Sequence, residues 1–271
     1  MSRVITANNA NPERVIVVDR GGNGDFTSIQ MAINAAAARS PGATNPWLVL
    51  VAPGVYPESL TLADHVHLVS LGGQESVALQ ATGTPLIEAA HCRVEGFRLE
   101  GAASPLIRAA SNFGAKLTLQ EVLIETTLAE QDALRLDGGQ VEMQACRWTV
   151  GGRLVVNGGS LIARRCHLIH QHASPLAPTQ ATLEVSGGTL WLEYSVVENK
   201  AHPASGGSAL KFTLQAPASV RLWHCILRAA SGYSVDSTVN LTAVIAACRM
   251  NAEVNTSRIT GVLDYAVYAA L

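Results

Sequence analysis

The sequence is poor in charged and aromatic residues, and it has no long apolar run. Charged residues make up 15% of its 271 residues and aromatic residues 5%, whereas a typical soluble domain is about 25% charged. No segment approaches the roughly 18 consecutive apolar residues of a membrane-spanning helix. Residues 1–9 lack the apolar core of a signal peptide. We therefore expect a chain without a secretion signal and without membrane insertion.

Basic clusters and cysteine pairs are also lacking. The net charge is −2, and no basic run is interleaved with aromatic residues, so no nucleic-acid partner is expected. The five cysteines are an odd number without a C-x-x-C pair, which argues against a disulfide framework. The low charge favours a surface that is partly covered by a protein partner.

A pattern of eight residues, with apolar residues at its first, third, sixth and eighth positions, recurs seven times. It is clearest at Val141–Trp148, where the apolar members are Val141, Met143, Cys146 and Trp148. Alternation predicts a strand with one buried face, and the two-residue step predicts a bend between two short strands. The sixth positions of the seven copies are Phe97, Val122, Cys146, Cys166, Ser195, Cys225 and Ser257.

The spacing of these copies predicts a solenoid. Neighbouring sixth positions lie 20–32 residues apart, about one coil of a β-helix. We predict one all-β, single-stranded parallel β-helix domain over residues 14–271. Adjacent coils of such a domain lie about 4.8 Å apart, so Cys146 and Cys166 are expected to stack. We interpret them as small buried apolar side chains, with a disulfide as the alternative.

Segments outside the repeats predict the ends of the solenoid. Residues 1–13 are expected to form an arm and Arg14–Val18 a first strand. Thr27–Gln30 has the form of a capping box with Thr27 as the cap, followed by a helix to about residue 39 across the open end of the first coil. Coils are predicted over about 47–260, with an apolar tail over 261–271 that plugs the last coil or docks on a neighbour. Longer loops are predicted at residues 126–131, 170–180, 200–208 and 228–238.

Two segments resemble a known superfamily. Residues 17–33, with Gly22-Asn23-Gly24-Asp25-Phe26 at their centre, resemble the G-x-G-D-F-x-T-I-Q-x-A-I opening of the pectin-lyase-like right-handed β-helix proteins, pectin methylesterases among them. Residues 53–58 resemble the P-G-x-Y-x-E motif that follows it. The resemblance covers residues 14–62 by motif and the rest of the chain only by the spacing of its repeats. It implies a right-handed parallel β-helix. The same opening also heads non-catalytic, phage-encoded β-helices.

The catalytic set of the methylesterases is incomplete in this sequence. Those enzymes use two aspartates, a glutamine and an arginine, and Gln131-Asp132-Ala133-Leu134 partly matches their Q-D-T-L motif. Where the second aspartate falls, residues 151–157 contain none, and no L-G-R-P-W equivalent is present. One carboxylate without its acid/base partner cannot run that chemistry. We predict no catalytic residue and interpret Asp132 as a turn residue.

Other site chemistry finds little support. Paired carboxylates for glycan cleavage and clustered acids for calcium are not evident. His167, His170 and His172 match no standard metal spacing, and we interpret His167 as outward and the other two as loop residues. We therefore predict no metal site and no cofactor.

An apolar row on the outside of the coils predicts a contact surface. The outward positions of the second strand in each copy include Leu123, Val196 and Ile226, and Trp191 and Trp223 also fall outward or at the bend. Apolar residues in a row suggest a partner surface, most simply a second copy in a closed assembly. The complete set of outward positions is Arg98, Leu123, Arg147, His167, Val196, Ile226 and Arg258.

The sequence favours a structural role. We expect a non-enzymatic component of a virion, assembled in the host cytoplasm, such as a phage tail fibre, spike or capsid decoration. Its expected partners are copies of itself, with a homotrimer favoured, other virion proteins and a surface glycan. The alternatives are a polysaccharide-processing enzyme (a tailspike depolymerase or a carbohydrate esterase relative) and a glycan-binding adhesin. The fold hosts all three, so the choice depends on sites.

Overall fold

The protein is a right-handed parallel β-helix. The computed structural model describes residues 14–110, 114–126, 132–150, 152–172, 180–201, 204 and 207–268. Each regular coil contributes one strand to an eight-stranded sheet and two strands to a 19-stranded sheet that turns a corner between them. All ladders between neighbouring coils are parallel, which gives each coil three faces. We call them face A (the eight-stranded sheet), face B (before the corner) and face C (after it).

The described residues form one helix, α1 (Ile29–Ala37), and 27 strands. The first nine strands are β1 (Val15–Val18), β2 (Trp47–Val51), β3 (Gly54–Tyr56), β4 (Leu60–Thr61), β5 (Val66–Ser70), β6 (Val77–Gln80), β7 (Ile87–Glu88), β8 (Cys92–Glu95) and β9 (Arg98–Gly101). The next nine are β10 (Ile107–Ala109), β11 (Lys116–Gln120), β12 (Leu123–Thr126), β13 (Asp132–Leu136), β14 (Gln140–Gln144), β15 (Arg147–Val150), β16 (Arg153–Val156), β17 (Ser160–Arg164) and β18 (His167–His172). The last nine are β19 (Leu183–Val185), β20 (Thr189–Glu193), β21 (Val196–Ala201), β22 (Leu210–Phe212), β23 (Ser219–Trp223), β24 (Ile226–Arg228), β25 (Val235–Ser237), β26 (Leu241–Met250) and β27 (Ile259–Val267).

The repeat produces these faces directly. In the coil that contains Val141–Trp148, β14 lies on face B and β15 on face C, and the bend falls between them as predicted. Alternate side chains of both strands point inward, and Val141, Met143, Cys146 and Trp148 are all buried. Stacking such coils in register produces one continuous apolar core along the tube.

The bend depends on a residue in the left-handed region directly before the buried sixth position. Residues other than glycine avoid this region, since it costs roughly 1–2 kcal/mol. Each such residue donates its backbone N–H to the coil above, as from Ala145 to the Arg164 carbonyl at 3.0 Å, so the ladder continues through the corner. The corner residues, with φ from 49° to 75°, are Gly96, Glu121, Ala145, Arg165, Tyr194, His224 and Ala247.

The last predicted copy of the repeat is wrong. Ser257 is exposed, and the residue stacked on Cys225 is Cys248 of β26. Residues 243–250 also fit the eight-residue pattern, with Cys248 in the sixth position. The segment after β26 crosses to face A instead, where Val254 bridges to Val235.

Gly-Gly turns separate face A from face B, as expected. The second glycine of each turn has a positive φ: 66° at Gly139, 71° at Gly159 and 73° at Gly188. The turns also stack closely, because a Cβ at Gly159 or Gly188 would collide with the carbonyl oxygen of the glycine one coil below. Glycine is therefore needed there both for conformation and for space.

The opening motif closes the first coil. Helix α1 buries Ile29, Ala32, Ile33 and Ala36 against β1 and β2, confirming the predicted apolar stripe. The predicted cap is wrong by one residue, since the Ser28 side chain, not that of Thr27, accepts the Met31 N–H.

The carboxylate of Glu58 holds the start of α1. It accepts the Ser28 hydroxyl at 2.7 Å and the backbone N–H groups of Ile29 and Gln30 at 3.0 Å each. A negative charge at a helix N-terminus also complements the helix dipole. Within the same motif, the Tyr56 hydroxyl donates to the Ala52 carbonyl at 2.9 Å. The motif residues that resemble the superfamily therefore have structural roles here.

The C-terminal segment continues the solenoid over most of its described length. Strand β27 stacks in parallel on β26, so residues 259–267 form a further rung. The predicted loop at 228–238 contains β25 of face A, and β18 extends into the predicted loop at 170–180. The predicted arm, residues 127–131 and 173–179, and residues 269–271 lie outside the described residues. Within the described parts of the chain, no helix has the length and apolarity needed to cross a bilayer.

Candidate functional site

Asp132 lies in an ion-pair network on the outer side of face A. It begins β13, and its register partner one coil above is Arg153. Arg153 Nε donates to Asp132 Oδ1 at 2.8 Å, and Arg153 Nη1 donates to Glu184 Oε2 at 2.7 Å. The Thr213 hydroxyl donates to the other oxygen of Glu184 at 3.1 Å. A guanidinium therefore stands one coil above Asp132, in register with it, between two carboxylates.

Several other charged residues on face A are also paired. Glu88 and Arg108 on adjacent rungs form a 2.8 Å ion pair, and Arg135 pairs with Asp137 at 3.1 Å. Glu88 and Arg108 also border an open groove of about 550 Å³ with Ser59 and other polar residues of the first coils. Partly exposed pairs of this kind contribute about 0–1 kcal/mol each. Face A presents a polar, electrostatically balanced surface.

A second polar cluster surrounds Glu198 on face C. This carboxylate is largely buried, and it lies 3.3 Å from Arg228 Nη1, 3.4 Å from Lys200 Nζ and 3.8 Å from His167 Nε2. Burial lowers the pKa of His167, and Arg147 and Lys200 lower it further against the opposing effect of Glu198. The cluster is held together mainly by Lys200 and Arg228.

His167 and His170 lie in different environments on β18. His167 is outward, as predicted, but His170 is a buried residue of β18 and is not a loop residue. The assignment of His170 and His172 to a loop is wrong, because β18 pairs with β21 through residue 172. Across the described ranges, no three His, Cys, Asp or Glu side chains are grouped to hold a metal ion.

The cysteines line the inside of the tube. All five are buried and free, which confirms our interpretation of Cys146 and Cys166 as small core side chains. Burial raises the pKa of the Cys92 thiol to about 12 and also raises the pKa of Cys146. The Cys146 thiol donates to the Leu119 carbonyl at 3.4 Å. The Cys92 and Cys146 thiols are therefore protonated at neutral pH and are not poised as nucleophiles.

The predicted apolar row on face C is a true ladder, but it is mostly covered. Leu123 is buried, and Val196 and Ile226 are half-buried. Arg249, not Arg258, is stacked on Ile226, because the last copy of the repeat is β26. The described ladder runs Arg98, Leu123, Arg147, His167, Val196, Ile226 and Arg249.

Face B carries the more exposed apolar surface. Four of its outward side chains share one ladder, in which the exposed fraction reaches 37% at Val244 and 57% at Val262. Arg221 interrupts this ladder between Trp191 and Val244, and its guanidinium lies 5.7 Å from the Trp191 ring centroid. We call Ile162, Trp191, Val244 and Val262 the apolar ladder.

Aromatic side chains cluster at the corner beside this ladder. The Tyr194 and His224 rings stack in parallel, with centroids 5.0 Å apart and an interplanar angle of 3°. Trp223 meets His224 edge-on at 5.6 Å. Tyr194 is 58% exposed and Trp223 47% exposed. We call Tyr194, Trp223 and His224 the aromatic corner. Sequence reasoning found Trp223 but missed Tyr194 and His224, whose only signal is their place before the sixth position of the repeat.

Comparisons with known proteins agree with the fold. Pectin methylesterase PemA from Erwinia chrysanthemi superposes with a TM-score of 0.52 at 13% identity, over 93% of this chain and 81% of that chain. ORF18 of Geobacillus virus E2 superposes with a TM-score of 0.55 at 13% identity, over 90% of this chain and 58% of that chain. No protein-family model and no curated protein matches the sequence. At this identity the likeness establishes the parallel β-helix fold alone.

Proposed function

We propose that this chain is a non-enzymatic structural protein of a viral particle, such as a tail fibre, spike or capsid decoration, that acts by self-association. The observation that carries the proposal is the apolar ladder on face B. The proposed assembly is a closed homo-oligomer, with a trimer favoured, because one surface on every copy is then satisfied without open-ended growth. Other virion proteins would attach to the assembled body.

The apolar ladder has the properties of a contact surface. From Ile162 to Val262 it crosses five rungs, about 19 Å at about 4.8 Å per rung. The exposed Val244 and Val262 are register partners on adjacent rungs. Trp191 is held between Arg164 and Arg221, whose guanidinium carbons lie 5.2 and 5.7 Å from the centre of its ring. Tryptophan and arginine are enriched among the residues that dominate binding at interfaces.

The network at Asp132 supports a role without catalysis. General acid/base chemistry needs carboxyl groups placed to exchange protons with a substrate, whereas Asp132 and Glu184 are each hydrogen-bonded to the same Arg153 guanidinium. Arg153 stands in register above Asp132, where the methylesterase pattern has its second aspartate. The fold of ORF18 from a virus supports the viral setting.

Sedimentation velocity of the full chain, with a paired variant, tests the proposal. Val244→Asp/Val262→Asp places two carboxylates in the contact surface, and we expect the oligomer to dissociate while the far-ultraviolet circular dichroism is retained. Thr61→Asp, an exposed outward strand position on face A, is the matched control and should leave the oligomer intact. A native chain that sediments as a monomer at tens of micromolar would contradict the proposal.

The alternative is a polysaccharide-processing enzyme, either a depolymerase or a carbohydrate esterase. It is favoured by one observation, the likeness of this fold to pectin methylesterase PemA. Release of methanol from methyl-esterified galacturonan, or of reducing ends from a bacterial polysaccharide, would establish it if Asp132→Asn abolished the release. Either result would overturn the non-enzymatic proposal.

A further inference from the structure

The aromatic corner ends in a notch. The Tyr194 and His224 rings stack on adjacent coils, but the corner residue of the next coil is Ala247. In the same coil, the register partner of Trp223 is Ala246. The two alanine methyl groups therefore occupy the positions that the Trp223 and His224 rings occupy one coil below. Adjacent rungs are about 4.8 Å apart, close to the 5.0 Å between the Tyr194 and His224 rings. Because Ala247 is exposed and its side chain is small, the next position in the stack has room for a flat group of similar thickness.

We propose that this notch binds one pyranose ring of an uncharged polysaccharide. The C–H face of a sugar ring carries small positive partial charges, which are attracted to the negative face of an aromatic ring. In this arrangement the sugar lies on His224 in the place that a larger residue at 247 would fill, with Trp223 beside it. An all-equatorial hexose, as in a β-1,4-linked glucan, presents the flattest face for this contact.

The polar groups around the notch fit hydroxyl groups. The exposed carboxylate of Asp264 lies at the upper rim, where it accepts the Ala247 N–H at 3.4 Å. The register partner of Trp223 one coil below is Glu193, whose carboxylate pairs with Arg164 at 2.8 Å. Carboxylates accept bonds from sugar hydroxyls and arginine donates to them.

The charge near the notch favours a neutral ligand over an acidic one. Arg165 is the corner residue on one side of the aromatic pair, Asp264 lies on the other side, and Arg164 is neutralised by Glu193. An acidic polysaccharide would meet Asp264 directly at the rim. Because the positive and negative charges around the notch are balanced, the notch recognises its ligand by ring shape and by hydroxyl groups.

The backbone holds the notch ready for binding. The corner N–H of Tyr194 donates to the Trp223 carbonyl at 2.9 Å, and that of His224 donates to the Ala246 carbonyl at 3.0 Å. These bonds fix the directions in which the rings leave the corner, so little ordering is needed when a ligand binds. The notch is distinct from the apolar ladder and does not depend on the proposed self-association.

Filling the notch tests the proposal. Isothermal titration calorimetry with cellohexaose should show saturable binding to the full chain, and Ala247→Tyr should abolish it by placing a ring on His224. Ala145→Tyr is the matched control, since Ala145 is also an exposed corner residue in the left-handed region, and it should bind like the native chain. Trp223→Ala should lower the affinity at least about tenfold.

Three outcomes would overturn the proposal. They are absence of cellohexaose binding to the native chain, equal binding by Ala247→Tyr, and binding of only an acidic probe, hexagalacturonate, that is lost at high salt. The Val244→Asp/Val262→Asp variant should retain sugar binding even as a monomer. This last measurement separates the notch from the self-association surface.

Discussion

The corner residues show how one backbone conformation shapes the molecule. A left-handed residue precedes each buried sixth position from residue 97 to residue 248, and in that stretch only the first, Gly96, is a glycine. At the other corners the steric cost is offset because each corner N–H donates to the coil above, to a backbone carbonyl or, at Ala247, to the Asp264 carboxylate. The sequence does not reveal this cost, since nothing in glutamate, arginine or tyrosine marks a left-handed position.

A glycine at a corner should therefore stabilise the chain. We expect Ala247→Gly to raise the free energy of unfolding by about 0.5–1 kcal/mol, because glycine adopts φ 53° without the steric cost borne by alanine. Ala246→Gly, one residue earlier in the strand, should lower it by a similar amount. Urea denaturation of both variants checks this, and equal effects at the two positions would refute it.

His67 gives the stability a specific pH dependence. The pKa of its imidazole is lowered to about 4, mainly by burial and in smaller part by the nearby Arg93, His65 and His91. The neutral ring accepts the Arg93 backbone N–H at Nδ1, at 3.1 Å. Because the unfolded chain binds this proton near pH 6.5, the contribution is complete above that pH and is lost as the pH falls towards 4.

Replacing His67 should make the free energy of unfolding fall less steeply as the pH is lowered. We expect the native chain to lose about 1–3 kcal/mol more than His67→Gln between pH 7 and pH 4.5. Denaturation midpoints at several pH values measure this. His224→Gln, at an exposed histidine, should follow the native curve. Parallel curves for the native chain and His67→Gln would contradict the assignment.

At the scale of elements, the opening motif forms a helix-capped end. The sequence predicted α1 and its buried stripe, because helical spacing is a strong local signal. It did not predict that Glu58 would hold the start of α1, since 28 residues separate Gln30 from that carboxylate. Tertiary partners of this kind are invisible to local patterns.

Removing the charge of Glu58 should loosen this end. We expect Glu58→Gln to cost about 1–3 kcal/mol, since an ionised acceptor of three hydrogen bonds becomes a neutral one. Glu75→Gln, at an exposed glutamate in the turn between β5 and β6, is the control and should change stability by less than about 0.5 kcal/mol. A smaller loss at Glu58 than at Glu75 would disprove the cap.

The strands illustrate the limits of pattern reading. Period-two alternation located both strands of six regular coils, whereas the copy placed at 252–259 competed with an equally good fit at 243–250. Only stacking on Cys225 decides between them. The short strand β25 was missed because Val235 is the only apolar residue among its three, so the sequence shows no alternation there.

At the scale of the whole molecule, the tube sorts residues by face. Inward positions were predictable because burial requires apolar side chains, and the Cys146 and Cys166 column was correctly placed. Outward positions were harder to predict, since exposure depends on what neighbouring rungs carry. Leu123 is covered, while Val262 on another face is open. The notch above His224 exists only through the register of three coils, so no local signal reveals it.

The central claim is that the apolar ladder is covered by a second copy of the chain, and thiol labelling tests it most directly. The native cysteines are all buried, so Val262→Cys introduces an exposed thiol whose maleimide reaction rate reports its accessibility. We predict slow labelling in the assembled protein and fast labelling once Val244→Asp is added, with Ser257→Cys fast throughout. A Val262→Cys thiol that reacts as fast as Ser257→Cys in the concentrated native protein would contradict the account.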